Sequence, residues 1–552
     1  MSTDRARLNS TNIGTGTESG TAATGFPASL SRRIDQGIEG LWLLAVFLGP
    51  LTFLSRDVIW SEAIVGYFEV PKIALLRTLT ALMVSLWLVQ WGVAGHWPTR
   101  YVNPATWLGG LGRWLRQRPT NWVILSVWFY AGTTAITTIL SGSFDVSLWG
   151  EVPGQDSFAA YTVLSYLVLF GMIASKLRNR KQLARLLGAI IIMGTLASAY
   201  GVLQHYGYDF LNALEDTGGG RSRVTVTMGN AIFAASVMLM SVLVSLTVAN
   251  VTLSAPENQP AWLRRSNPQL AQPVLYIFWL LVISVQMLGL IFTFSRGPWV
   301  GTLLGIGAFL TLATLLIGWR VAARTVLLLS LSALIIMTWL QPGVLISLAG
   351  GTLQFWLLIL ATIFALALGL LLRWRYLAQL ESGWQTLSRQ PVIAPLAQRG
   401  RLSGTVGGLG LALALVGAII LIQFRVATGE LSTSSEVGQR LGSISGQVKS
   451  GSFSKRGPIW VGSLKLMRDH PWFSFDDLSL RWLRPVIGYG PDLFRYTYLL
   501  VSQPADQSRI PLEPDHAHNY FIHQGVEQGL LGMASSLSIF VALFFATGYQ
   551  VN

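Results

Sequence analysis

Cysteine is absent from the 552-residue chain, and charge is scarce: Asp, Glu, Lys and Arg make up 12% of it. The first absence excludes disulfides and thiolate metal sites. The second excludes an ordinary soluble domain, which carries about twice that share of charge. Histidine is rare as well, with six residues in all. No Walker-type loop, H-E-x-x-H spacing, Ser-His-Asp arrangement or repeat of fixed period is readable. No apolar h-region precedes a small-residue cleavage site near the start, so no cleaved signal peptide is expected.

What is abundant is apolar. Hydrophobic residues make up 52% of the chain, and the mean hydropathy is +0.51. This composition predicts an integral membrane protein. The first 37 residues are rich in Ser, Thr and Gly and read as a disordered cytoplasmic tail. Residues 38–552 read as one all-α polytopic membrane domain. A spanning helix needs roughly 20 mostly apolar residues. About twelve stretches qualify, near 38–54, 73–95, 121–140, 158–175, 186–205, 229–250, 273–294, 298–318, 325–340, 354–373, 404–424 and 529–549.

The net charge of +14 raises the question of nucleic acid. Its distribution answers for membrane topology instead, and no nucleic-acid partner is expected. With the N-terminus inside, the inside connections hold about 22 Lys and Arg. The short outside connections hold only Arg56, Lys72, Arg221, Arg223 and Arg296. The asymmetry follows the positive-inside rule and predicts an even helix count with both ends cytoplasmic. One long connection, 425–518, falls outside. Its stretch "RGPIWVGSLKLMRDHPW" reads as amphipathic helix, and "PVIGYGPDLF" as turns.

Polar residues gather at the outer mouth. In "FTFSRGPWVG", Arg296 sits between two spans with almost no loop, and Gly297, Gly301 and Gly305 follow at close-packing spacing. An isolated arginine there is a snorkelling interface residue. On a packed hairpin it suits a fixed anion such as a lipid-linked phosphate. In "GGGRSRVTVTMGNAIFAA", Arg221 and Arg223 precede Gly229 and Asn230, which read as a helix cap, and Arg223 is expected beside Arg296. Lys455 and Arg456 in "SFSKRGPIW" form a basic pair, a type more often solvated than bound. "SGSFDVSLWGEVPGQDS" offers aromatic and acidic residues that suit either a sugar or an interfacial belt.

Half of the histidines fall in "EPDHAHNYFIHQGVEQGLLG". On a continuous helix, His516, Asn519 or Tyr520, His523 and Glu527 share one polar face at the entrance of the last span. Such groups normally face a protein interior or water-filled cavity. Imidazole is the natural base for a hydroxyl nucleophile near neutral pH. A zinc site is the competing reading. It lacks a thiolate or carboxylate cluster to complete its ligands, so no metal is expected.

The basic "SRG" at a helix hairpin, the late outside loop ending in "HAHN", and "EQGLLG" leading into the next helix together resemble the O-antigen ligase and polymerase superfamily. "RVTVTMGNAIFAA" resembles its fGNpN region, reduced here to Gly229–Asn230. "HPWFS…IGYGPDLF" resembles its hPl.G.G.g.F segment, with an insertion between Pro471 and Gly488. The likeness covers about residues 120–550. It implies a GT-C-like fold, no cofactor, and a metal-independent glycosyltransferase in the cytoplasmic (inner) membrane, working at its outer face. The implied donor is a glycan on undecaprenyl diphosphate, and the implied acceptor a hydroxyl of a glycan, lipid or protein. Carried onto this sequence, His518 beside Asn519 is the candidate general base, with His516 as the alternative. Arg296, Arg223 and Arg456 would hold the diphosphate, with Asn519, Asn230 and Glu527 in support. Some members of the superfamily carry the label of bicarbonate transporter, so small-anion transport is the alternative function. A transporter needs ionisable residues near the midplane, whereas these collect at the mouth.

Overall fold

The structure is a computed structural model. It describes residues 28–54, 68–93, 104–150, 158–211, 223–254, 256–266, 268–340, 452–472, 476, 478, 481–502 and 514–551. Among these residues it is all-helical. The first group is α1 (Ala28–Leu51), α2 (Glu69–Val93), α3 (Pro104–Gln117), α4 (Thr120–Ile139), α5 (Phe144–Trp149) and α6 (Ala160–Lys176). Next come α7 (Arg180–His205), α8 (Ala231–Ser254), α9 (Ala261–Ser266), α10 (Pro268–Phe292), α11 (Arg296–Leu316) and α12 (Trp319–Leu340). The C-terminal part holds α13 (Ser452–Asp469), α14 (Arg484–Ile487), α15 (Phe494–Tyr498), α16 (Tyr520–Glu527) and α17 (Gly529–Val551).

Seven of the helices, α1, α2, α4, α7, α8, α10 and α17, are long and apolar enough to cross a bilayer. The protein is therefore an α-helical polytopic membrane protein. Helices also occupy the other expected spans up to 325–340. The expected spans at 354–373 and 404–424, and residues 425–451 of the long loop, lie outside the described residues, as does the tail up to residue 27.

Two boundaries differ from the sequence reading. Residues 28–37, assigned to the tail, are the first turns of α1. Polar contacts hold them: Asp35 pairs with Lys176 at 2.7 Å, and Gln90 donates to Ser31 at 2.9 Å. One turn on, Glu39 accepts from Arg185 at 2.6 Å. Hydropathy does not register a helix whose first turns are anchored by ion pairs. The second difference is α3, a 14-residue helix with Arg113 and Arg116, too short and too charged to read as a span.

Packing follows small residues. A Cβ built at Gly289 would lie 2.7 Å from the Ser198 Cα, so α10 and α7 touch backbone to backbone. α8, α10 and α12 enclose the largest core, around Leu246, Tyr276, Leu280, Ile283 and Leu328. α4 lies along α17, where Ser126 donates to the Ser538 carbonyl at 3.2 Å.

The helices alternate in direction, so their junctions gather at two ends. At one end Lys72 donates to the carbonyls of Thr52 and Thr227, joining the end of α1 to the start of α2 and the approach to α8. Arg223 bonds to the α10–α11 turn at the same end, and Phe158, before α6, packs on His516 and His523. The opposite end carries Asp35, Lys176, Arg185 and α9 with Arg264 and Arg265.

Candidate functional site

The SRG turn is tight. α10 ends at Phe292, α11 begins at Arg296, and Phe294 takes a left-handed backbone with φ of 49° between them. Arg223 reaches this turn from the extended 223–225 segment. Its Nε donates to the Thr293 carbonyl at 3.3 Å and its Nη2 to Ser295 Oγ at 3.1 Å. The expected neighbourhood of Arg223 and the SRG motif is thus present, built by way of Ser295. Arg296 is half-buried as the first residue of α11, where helix dipole and guanidinium both favour an anion. The three glycines after it divide. Gly301 and Gly305 face Leu239 and Leu243 of α8, and Gly297 faces open space. Close packing here joins α11 to α8. Arg221 lies outside the described residues.

Asn230 does cap α8: its side chain accepts from the Ile232 amide at 2.8 Å. Gly229 before it has φ of 67° and packs on Phe68.

The histidine stretch differs from one continuous helix. α16 starts at Tyr520, because Asn519 takes an extended backbone and its side chain accepts from the amides of Phe521 and Ile522. His518 immediately before it has φ of 50°. His516 therefore stands off the helix, yet returns to it: its ring meets that of His523 edge-on at 5.6 Å. The Ala517 carbonyl accepts from Trp460 of α13 at 2.8 Å, which pins the turn.

His523 and Glu527 are buried, at 2% and 1% exposure. Nε2 of His523 lies 3.2 Å from Oε2 of Glu527. Phe158 covers the His523 ring at 4.2 Å and Phe494 at 5.0 Å. The other Glu527 oxygen accepts from the Phe494 amide at 3.3 Å. Gly490 donates to the Glu527 carbonyl at 2.7 Å. At Gly488, φ of 69° and a Cβ position 2.4 Å from the Glu527 carbonyl carbon leave room for no other residue. The segment 488–490 is thus the clamp on the end of α16. Glu527 supports α16 and His523 from within and does not reach the surface.

His518 is exposed and His516 half-buried. Desolvation lowers the pKa of both, and is only partial at the exposed His518. For His518 the next cause is the positive charge of Arg456 on α13, and for His516 the neighbouring His523. These causes favour the neutral imidazole, the form a base requires. Arg456 is half-buried and near enough to act on His518, so α13 brings it to the histidine loop.

Some residues here carry no motif. Lys72, read only as one of the scarce outside cations, ties three segments of the site together. Arg484, 1% exposed, is paired with Asp476 and donates to the Leu140 and Gly488 carbonyls at 2.8 and 2.9 Å. It fastens the 488–490 clamp to the end of α4. Between α4 and α6, Ser147 of α5 donates to the Pro491 carbonyl at 2.7 Å. α5 therefore braces the same clamp. Among the described residues, no group of three or more His, Asp or Glu side chains is arranged to hold a metal ion. Comparison of the chain with models of known families, with curated proteins and with solved structures finds no match, so the chemistry of the site is read from its own residues.

Proposed function

We propose that this protein is a glycosyltransferase of the O-antigen ligase and polymerase type. It moves a glycan from an undecaprenyl diphosphate carrier to an acceptor hydroxyl at the outer face of the cytoplasmic membrane. One observation carries the reading: Arg223, bonded into the 293–295 turn that leads into Arg296, lies at the same end of the bundle as the histidine loop 516–523. The reading includes about twelve spans in a GT-C-like arrangement, with the loop 425–518 outside.

The chemistry balances without a redox partner. His518, or His516 in its place, takes the proton of the acceptor hydroxyl. The oxygen forms a bond to the anomeric carbon as the bond from that carbon to the diphosphate breaks. Negative charge grows on the leaving diphosphate. Arg223 and Arg296, with the N-terminus of α11, are fixed where they stabilise such charge with little reorganisation. Arg456 serves the same anion from α13.

The test is transfer from a lipid-linked donor by purified protein. Arg296→Ala should lose about 10²-fold or more while accumulating normally. Arg296→Lys should recover only part, because lysine keeps the charge and loses the planar fork. Wild-type rates in both variants would overturn the reading. Bicarbonate uptake into proteoliposomes, with no transfer from any donor, would replace it with anion transport.

A further inference from the structure

A cleft of about 300 Å³ lies between α1, α2 and α6. Its walls are apolar, among them Val46, Gly49, Ile73, Leu76 and Leu169. Its one basic residue is Lys72, in the first turn of α2, where the cleft meets the candidate site. The Lys72 ammonium donates to Thr52 O and, at 2.6 Å, to Thr227 O. An ammonium has three hydrogens, so a third acceptor can join these two. Glu69, three residues earlier, offsets part of that charge. The two carbonyl bonds explain why Lys72 joins three segments. They do not require an open apolar space beside it.

Charge and shape together select an anionic head on a narrow hydrocarbon chain. The head would not be isolated. Thr227 is four residues from Arg223, so their Cα atoms lie no more than about 14 Å apart. Arg223 in turn is bonded to the 293–295 turn that leads into Arg296. Lys72 and Arg223 are thus linked through the short 223–227 segment, and Arg223 is bonded to the residue that precedes Arg296. We propose that the α1–α2–α6 cleft receives the isoprenoid chain of a polyprenyl phosphate, with Lys72 on its phosphate. This rests on the glycosyl-transfer reading and states where the donor's tail enters.

The test is binding to the full-length protein in detergent, measured by native mass spectrometry. The probes are undecaprenyl phosphate, undecaprenol and dioleoyl phosphatidic acid. Undecaprenyl phosphate should bind more tightly than both others. Lys72→Met should weaken it about fivefold, the worth of one lysine at an anionic head, and leave undecaprenol unchanged. Lys72→Arg should retain binding. Gly49 lines the cleft and a Cβ there meets nothing within 4 Å, so Gly49→Leu is the substitution that fills the cleft. It should weaken both polyprenyl probes about tenfold or more, because the chain loses its buried methylenes. Unchanged polyprenyl binding in Gly49→Leu would overturn the proposal, as would phosphatidic acid binding as tightly as undecaprenyl phosphate. If a variant fails to accumulate, a photoreactive isoprenoid phosphate on wild-type protein decides. It should label residues 45–50, 72–76 or 166–169, and labelling confined elsewhere overturns the proposal. The two readings fail separately. Wild-type transfer with unchanged binding in Gly49→Leu would sink the cleft alone. Expected binding with no transfer from any donor would sink the transferase reading alone.

Discussion

His518 stands one residue before the cap of α16, exposed, with a lowered pKa and a φ of 50°. A left-handed backbone at a non-glycine residue is uncommon and costs about 1 kcal/mol or more. It turns the imidazole out of the helix path. His523, by contrast, is sealed under Phe158 and Phe494 beside Glu527. His518→Ala should therefore lose transfer by about 10²–10⁴-fold with donor binding intact. His523→Ala should lose stability first, because it opens a buried site beside a carboxylate. Loss of transfer in His516→Ala alone would move the base to His516. The pH profile has a definite sign. Partial desolvation and the Arg456 charge disfavour imidazolium, so the neutral base persists below the ordinary value of about 6.5, and the acid limb of the rate lies below it. Removing Arg456 removes one of those causes. In Arg456→Ala the acid limb should move to higher pH, whatever happens to the maximal rate. An unmoved limb would show that His518 is not the titrating base. The sequence shows three crowded imidazoles and the His523–Glu527 spacing of one helical turn. It does not show that Asn519 starts the helix late and leaves His516 and His518 in the preceding turn, because a cap is decided by a backbone conformation that several residue types can adopt.

At the scale of elements, the described spans were legible because each is a run of apolar residues at bilayer length. Their partners were not. Nothing in the local sequence says that Gly289 of α10 meets Ser198 of α7, or that Gly305 of α11 meets Leu243 of α8. Small residues permit close approach to any helix, and only the assembled bundle selects one. A direct comparison follows from two helical glycines that differ in what lies beside them. Gly289→Ala forces a Cβ to within 2.7 Å of Ser198 backbone and should destabilise by roughly 1–3 kcal/mol as overpacking. Gly297→Ala adds a Cβ to open space and should melt close to wild type. Thermal denaturation of the detergent-solubilised variants separates the two, and equal midpoints would contradict the α7–α10 contact. The clamp 488–490 was legible only as a turn-rich segment. Its hold on Glu527 depends on Arg484 and Asp476, a buried pair eight residues apart in sequence.

For the whole molecule, charge asymmetry in the sequence predicted two unlike ends, and the helices do sort these residues to two ends. Asp35, Lys176, Arg185 and α9 share one end, and Lys72, Arg223 and the histidine loop share the other. Which end faces out is part of the functional proposal. In this cysteine-free chain, Ser143→Cys and Ser502→Cys should react with an impermeant thiol reagent in intact cells, and Ser266→Cys should not. The reverse pattern would invert the orientation and remove the site from the outer face.

The pairing of α4 with α17 also sets an order in time. Thr134 meets Gln528, and Ser126 meets Ser538 across 412 residues of chain. At about 5–20 residues per second, a ribosome takes roughly 20–80 s to make that interval. Throughout it, α4 is already synthesised while the partners of Ser126 and Thr134 do not yet exist. The nascent chain must hold a hydroxyl-lined helix without its mate until α17 is made, and the histidine loop, made just before α17, completes the site only then.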